Sequence, residues 1–286
     1  MKIGIVGGSG LYALDGIAGV QETEIATPFG APSGPLVTGT LNGRAVVFLS
    51  RHGAGHRLLP SEIPFRANIW ALKSLGVTHV LSVSAVGSLK EEIAPGHMVF
   101  PDQFIDRTFH RETTFFGRGI VVHVQFGDPV CPVLVDVLAE SAGAVGVTFH
   151  KGGTYICMEG PVFSTRAESQ LYRSWGGAVI GMTNLQEAKL SREAEMCFAT
   201  IALSTDYDCW HEHEEEVSVE AVLKVMQENV ATSKQILAHA VSAVPEARTC
   251  GCGDALKDAI LTPLDRVPES LKADLRPLIG RYLNCA

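Results

Sequence analysis

The stretch from Cys197 to Trp210, CFATIALSTDYDCW, is an apolar run that stops abruptly at two carboxylates, Asp206 and Asp208. A run such as Phe198 to Leu203 suits a strand buried on both faces, the situation of a strand inside a parallel sheet. If the backbone stays extended past Thr205, positions 206 and 208 point the same way. Both acids then enter one pocket at the carboxyl end of a strand, where open α/β sheets bind ligands. Two carboxyl groups held close cannot both ionise easily, so one keeps its proton near neutral pH. Such a pair donates a proton and accepts a hydrogen bond at once. The competing reading of an isolated D-x-D is a solvated strand-to-loop turn.

Other strand-like runs alternate with helical patterns along the chain: Lys2 to Val6, Ala45 to Leu49, Val77 to Ser84, His97 to Val99, Thr154 to Met158 and Ala178 to Ile180. This alternation predicts an α/β fold with a largely parallel or mixed sheet. Phe65, Ile69, Leu72 and Leu75 repeat at helical spacing behind Pro64, which suits a first helical position, and Gly76 is placed to end that helix. A second helix starts near Ser218, with Val219, Val222, Leu223, Met226, Val230, Ile236 and Leu237 as its apolar stripe. A third helical region is expected from Asp254 to Ile260, with more helix after Pro268.

Three further strand ends carry donors suited to an anion. Gly7-Gly8-Ser9-Gly10 follows the first strand, and Gly8-Ser9-Gly10-Leu11-Tyr12-Ala13 fits the dinucleotide pattern G-x-G-x-x-[G/A]. Asp15, Gly16 and Gly19 interrupt what would have to be a helix, so the better reading is a tight loop whose N–H groups and Ser9 hydroxyl face a single anion. Arg51-His52-Gly53 ends another strand and offers a guanidinium fork with a second donor beside it. Ser84-Ala85-Val86-Gly87-Ser88 ends a third, where small residues and hydroxyls permit close approach of a ligand. One shared phosphate site explains all three.

Composition narrows the classes. The net charge of −8 argues against a nucleic-acid surface. No stretch approaches the roughly 20 apolar residues of a membrane helix, and the first residues enter a strand at once, so no signal peptide and a cytoplasmic location are expected. The 7 cysteines are odd in number and sit mostly in apolar runs, which favours reduced thiols. Cys250-Gly251-Cys252 is a weak metal signal because no second pair lies nearby in sequence, and no metal site is expected.

Taken together, GIVGGSGLY, RHGAGH, ANIWALKSLGVTHVLSVSAVGSLKEEIAPG, DQFIDRT, MEGPVFSTRAES, GMTNLQEAKLSREA and TDYDCWHEHEEEVSVEAVL resemble the S-methyl-5'-thioadenosine phosphorylases, in the trimeric branch of the purine nucleoside phosphorylase superfamily. The resemblance runs from Ile3 to about Val244. It implies a single nucleoside phosphorylase domain over residues 1–286: a central mixed, twisted sheet flanked by helices, with a C-terminal helical segment from about 254. It implies phosphorolysis of 5'-methylthioadenosine to adenine and 5-methylthioribose 1-phosphate, with phosphate as co-substrate and no metal or organic cofactor. The implied assembly is a homotrimer, with a dimer of trimers as the alternative.

By motif, the resemblance assigns phosphate to Ser9, Arg51, His52, Ser84, Ala85 and Thr183. Met182 and Glu159 fall to the ribose, Phe163 to the base, and Asp206 and Asp208 to purine N7 and the 6-amino group. Val219 and Val222 line the methylthio pocket, with His123 supplied by a neighbouring subunit. Gly181 stands where many relatives carry Asn, and Asn184-Leu185-Gln186 where a Thr-Val-Pro type sequence is commoner. The other readings are a phosphorylase for 5'-methylthioinosine or general purine nucleosides, and a non-catalytic nucleoside-binding protein on the same fold.

Overall fold

The computed structural model describes residues 1–8, 16–211 and 219–283, with the backbone alone for 219–224. Ser9, Ser218, Cys285 and the side chains of Val219 and Val222 therefore lie outside the described residues.

The chain opens with β1 (Lys2–Gly7), β2 (Ala18–Thr23), β3 (Leu36–Leu41) and β4 (Arg44–Ser50), then α1 (Phe65–Ser74) and the long β5 (Val77–Ser88). The middle holds β6 (Met98–Phe100), β7 (Gln103–Arg107), α2 (Pro132–Val145), β8 (Phe149–Lys151) and β9 (Thr154–Met158). Then come α3 (Arg166–Ser174), β10 (Gly177–Gly181), α4 (Asn184–Glu193), β11 (Cys197–Asp206) and α5 (Val219–Ala243). Two short helices, α6 (Glu269–Asp274) and α7 (Arg276–Leu283), finish the described chain.

All the described strands join one mixed sheet, in the order β2-β3-β4-β1-β5-β10-β9-β7, with β11 branching from β5 and leading to β6 and β8. The strands at its centre run parallel: β1 pairs with both β4 and β5, and β5 with β11. Their carboxyl ends therefore open on one edge. Gly7 stands opposite Ser50, Ala202 opposite Ser84, and Asp206 opposite Gly87. From Cys197 to Thr205, β11 is buried on both faces, as its composition demands.

Helices cover the sheet on both sides. Ile236, Leu237, Ala240 and Val241 of α5 and Leu134 and Leu138 of α2 pack on Ile3, Ile5, Leu81, Ala199 and Ile201. On the other side α1, α4 and the C-terminal helices pack on Val6, Val47, Val80 and Phe198. The helix over residues 65–74 forms as expected and Gly76 follows it at φ 81°, but Pro64 caps it rather than entering it.

One element is corrected. Asp254 to Ile260 is not an α-helix: a 3-10 turn covers Gly251–Asp254, turns follow, and Ile260 pairs with Val122 in an isolated bridge. Glycines at 251 and 253 favour a turn over a helical start there. The expected helices after Pro268 are present as α6 and α7.

Candidate active site

The carboxylates at the end of β11 meet by a different route from simple alternation. The strand stops at Asp206, and Asp208 sits in the following turn at φ 53°. Its N–H donates to Asp206 Oδ1 at 2.8 Å, and the Thr205 hydroxyl donates to Asp206 Oδ2 at 2.7 Å. Both acids lie over Gly87, where a Cβ would sit 3.0 Å from Asp206 Oδ1 and 3.3 Å from Asp208 Cβ. Gly87 is thus needed for space rather than for conformation.

The turn is anchored from several directions. Trp210 Nε1–H donates to Ser88 O at 2.8 Å, and the Arg173 guanidinium lies over the indole ring. The Cys209 thiol donates to Ser164 O, which ties the turn to the segment carrying Phe163. Phe163 itself is 77 % exposed, free to lie on a flat ligand beside the acids.

Burial raises the pKa of Asp206, partly offset by the Thr205 hydroxyl and the Asp208 N–H. Burial also raises that of Asp208; the Ser169 hydroxyl beside it pulls down in part, and the charge of Asp206 pushes up again. Asp208 Oδ2 is buried and makes no well-formed hydrogen bond among the described residues, and the same is true of the Ser169 hydroxyl. No cation is paired with either carboxylate among the described residues, so only hydroxyl and N–H donors offset the lost hydration of the ionised forms.

A second group of polar residues lies along the neighbouring strand ends. Ser84 Oγ stands 3.5 Å from Thr183 Oγ1 and 3.4 Å from the Tyr155 hydroxyl. Thr183 precedes the first residue of α4, and its side chain makes no capping bond there. The opening N–H groups of a helix favour an anion. Ala85 is exposed at the same strand end.

Arg51 and His52 occupy the end of β4, where Arg51 N–H bonds Gly7 O at 2.9 Å. The Arg51 guanidinium is only 2 % exposed and already engaged. Its Nε and Nη2 donate to the two oxygens of Glu187, Nη2 also donates to Ser82 Oγ, and Nη1 donates to Val83 O. One N–H of Nη1 remains for a ligand. Burial lowers the His52 pKa to about 4, helped by the Arg51 and His56 charges and opposed by the bond to Leu58. The ring is therefore neutral at pH 7, with Nδ1–H donating to Leu58 O at 2.8 Å. In that tautomer Nε2 is an acceptor, so His52 donates to an anion only when protonated.

Glu159 and Met182 are joined by Arg111, a residue that the motifs do not single out. Arg111 Nε donates to Glu159 Oε1 at 3.2 Å, Nη2 to Glu159 O at 2.5 Å, and Nη1 to Gln186 Oε1 at 2.9 Å and to Met182 O. Glu159 also accepts the N–H groups of Phe109 and His110. Gly181 has a local reason to lack a side chain: a Cβ there would collide with the Tyr155 hydroxyl. Tyr155 thus fills the space that a side chain at 181 would need. His123 stands apart, with Arg192, Cys252 and Asp258 in a separate cleft of about 980 Å³.

Comparison with known proteins shows the family of the chain and the likeness of its fold. Residues 2–242 match the model of the phosphorylase superfamily. The chain is 56 % identical over 282 residues to an S-methyl-5'-thioadenosine phosphorylase of Geobacter sulfurreducens, covering 98 % of this chain and 99 % of that one. Its fold superimposes on a methylthioadenosine phosphorylase from an antarctic soil metagenomic library with TM-score 0.93 at 46 % identity, covering 96 % of this chain and 98 % of that one. It also matches a point mutant of the adenosine/methylthioadenosine phosphorylase of Schistosoma mansoni in complex with methylthioadenosine, with TM-score 0.82 at 37 % identity over 90 % of this chain and 96 % of that one.

Proposed function

The chain belongs to the phosphorylase superfamily, and within it we propose that it cleaves 5'-methylthioadenosine with phosphate, giving adenine and 5-methylthioribose 1-phosphate. The observation that carries this reading is the half-buried acid pair, placed at the carboxyl end of the sheet with no cation among the described residues to neutralise it.

Breaking the bond between C1' and N9 leaves positive charge on the sugar and negative charge on the purine. A phosphate oxygen supplies the electron pair that closes the new C1'–O bond. The purine leaves with the electrons of the old bond and takes a proton at N7. Asp206, whose pKa burial raises, supplies that proton. Asp208 presents a buried oxygen in want of a donor, and the 6-amino group of adenine provides one. A 6-oxopurine brings an oxygen to the same point and meets repulsion instead, which favours adenine.

Phosphate is assigned to the donors around Ser84, Ala85 and Thr183, to the remaining Nη1–H of Arg51 and to His52. A bound dianion supplies the negative charge that the neutral imidazole needs to take up a proton. The ribose is assigned to Met182 and Glu159, held together through Arg111. The reaction as written needs no metal or organic cofactor. The working form is proposed to be a cytoplasmic homotrimer in which His123 completes a neighbour's site.

The test is release of the base from methylthioadenosine, adenosine and methylthioinosine side by side, with and without phosphate. Phosphate-dependent release from methylthioadenosine, faster than from methylthioinosine, is the expected result. Release that ignores phosphate, or a preference for the 6-oxopurine, would reject the proposal.

A further inference from the structure

At the opposite end of β11 from the acids, the fold assembles four cysteines that the sequence scatters. The sulfurs of Cys131, Cys197, Cys250 and Cys252 all lie within 4.8 Å of one another, and none is joined in a disulfide. Cys197 and Cys250 are 3.4 Å apart at sulfur. Three separate elements deliver them. Cys131 caps the start of α2, Cys197 opens β11, and Cys250 and Cys252 belong to the 3-10 turn around Gly251–Asp254. Backbone bonding fixes the first pair: the N–H of Cys131 donates to Phe198 O at 2.8 Å, beside Cys197.

We propose that these four cysteines form a structural metal site, a closed tetrahedral thiolate cage for a thiophilic divalent cation, zinc being the best fit. A zinc ion with Zn–S bonds of about 2.3 Å needs sulfur–sulfur edges of about 3.8 Å, which agrees with the spread of this cluster. Four thiolate ligands and no open position describe a structural rather than a catalytic centre. A mononuclear ion also fits better than an iron–sulfur cluster, whose inner sulfides push the cysteines farther apart.

The surroundings suit thiolates. Cys131 lies at the N-terminus of a helix of 14 residues, and the Leu134 N–H reaches its sulfur. The Arg248 guanidinium packs against Gly253, where a Cβ would come within 2.6 Å of it. Four thiolates around a divalent ion leave a net negative charge, and Arg248 and Arg192 stand near enough to offset part of it. The large cleft lined by Cys250, Cys252, Asp128 and Asp258 gives an ion a path from solvent. The same site gives Cys250-Gly251-Cys252 a reason to turn tightly at the start of this segment. Coordination would pin the segment before the C-terminal helices to α2 and β11.

This site does not depend on the proposed reaction, and its test reads metal rather than turnover. The purified chain is reduced, exposed to excess zinc, freed of unbound ion and analysed for metal by mass spectrometry. About one zinc per chain is expected, and cobalt in its place should give the intense thiolate-to-metal absorption of a tetrahedral site. Cys131→Ser and Cys252→Ser should each lower retained zinc on the order of 10–100-fold or more, the scale of losses seen even for residues outside the ligand shell. Cys209→Ser should leave it unchanged. Because a ligand variant can misfold, the native chain also decides alone. Reduced, folded protein that retains no zinc overturns the proposal, whether its thiols stay free or reoxidise to disulfides.

Discussion

Two places on the same sheet edge bury charge, and they treat it in opposite ways. At the end of β4 the Arg51 guanidinium is held by both oxygens of Glu187, by Ser82 and by Val83 O. At the end of β11 Asp206 and Asp208 are half-buried against each other with only hydroxyl and N–H partners. The first arrangement is mostly scaffold, because four of the five guanidinium N–H donors are taken within the protein and one is left for an anion. The second is chemically primed, because burial without a paired cation shifts an acid toward its protonated form. The anion end therefore offers mostly neutral donors, and the base end offers a proton.

The largest break in this contrast is removal of the acid. Asp206→Ala should lower kcat by roughly 10²–10⁴, the usual reach of general acid catalysis. Steady-state kinetics on folded protein checks it, and a near-normal kcat would take Asp206 out of the reaction. Next comes the scaffold. Glu187→Ala strands the Arg51 charge in the core and should cost about 3–5 kcal/mol of stability. Denaturant unfolding with and without phosphate measures it. Phosphate should restore part of the loss, since it offers the stranded charge a new partner.

These two sites are not equally legible in the sequence. Asp206 stands out because a long apolar run ending in two acids suits a strand end that faces a pocket. The geometry that joins it to Asp208 is not the expected alternation, since a left-handed residue in the turn replaces it. Arg51 is visible in its motif but its partner is not: Glu187 lies 136 residues away on α4, and no spacing rule links a helix to a distant strand end. Arg111 and Tyr155 escape the motifs for the same reason, as their roles come from tertiary contacts with Glu159, Met182 and Gly181. The helix α2 does carry a signal, because Leu134, Leu138 and Ala142 repeat behind Pro132. Likewise Thr165 and Glu168 form a capping box that marks the start of α3. The cysteine cluster carries none, since only the fold brings 131 and 197 to 250 and 252.

A subtler change sharpens the base end. Asp208→Asn should weaken adenine nucleosides and improve 6-oxopurine nucleosides, with a swing on the order of 1–3 kcal/mol for one buried hydrogen bond exchanged. The ratio of kcat/KM for methylthioadenosine and methylthioinosine reads it, and an unmoved ratio would place base recognition elsewhere. The smallest expected effect is on stability. Because burial raises the folded-state pKa of Asp206, ionisation opposes folding. That cost is absent below the ordinary carboxylate range and grows as pH rises toward the raised value. Asp206→Asn should therefore raise the melting temperature at pH 7 relative to wild type, with little difference at about pH 3, below the ordinary carboxylate range; the reverse order would mean that the native carboxylate is stabilised.

The central claim is that Asp206 protonates the leaving purine, and a leaving group that needs no proton tests it most directly. Wild type and Asp206→Ala are compared on methylthioadenosine and on a nitrophenyl 5-methylthioriboside, each with phosphate. The roughly 10²–10⁴-fold loss on methylthioadenosine should shrink to about tenfold or less on the nitrophenyl substrate, since nitrophenolate departs without help from an acid. An equal loss on both substrates would contradict it and assign Asp206 to binding or structure.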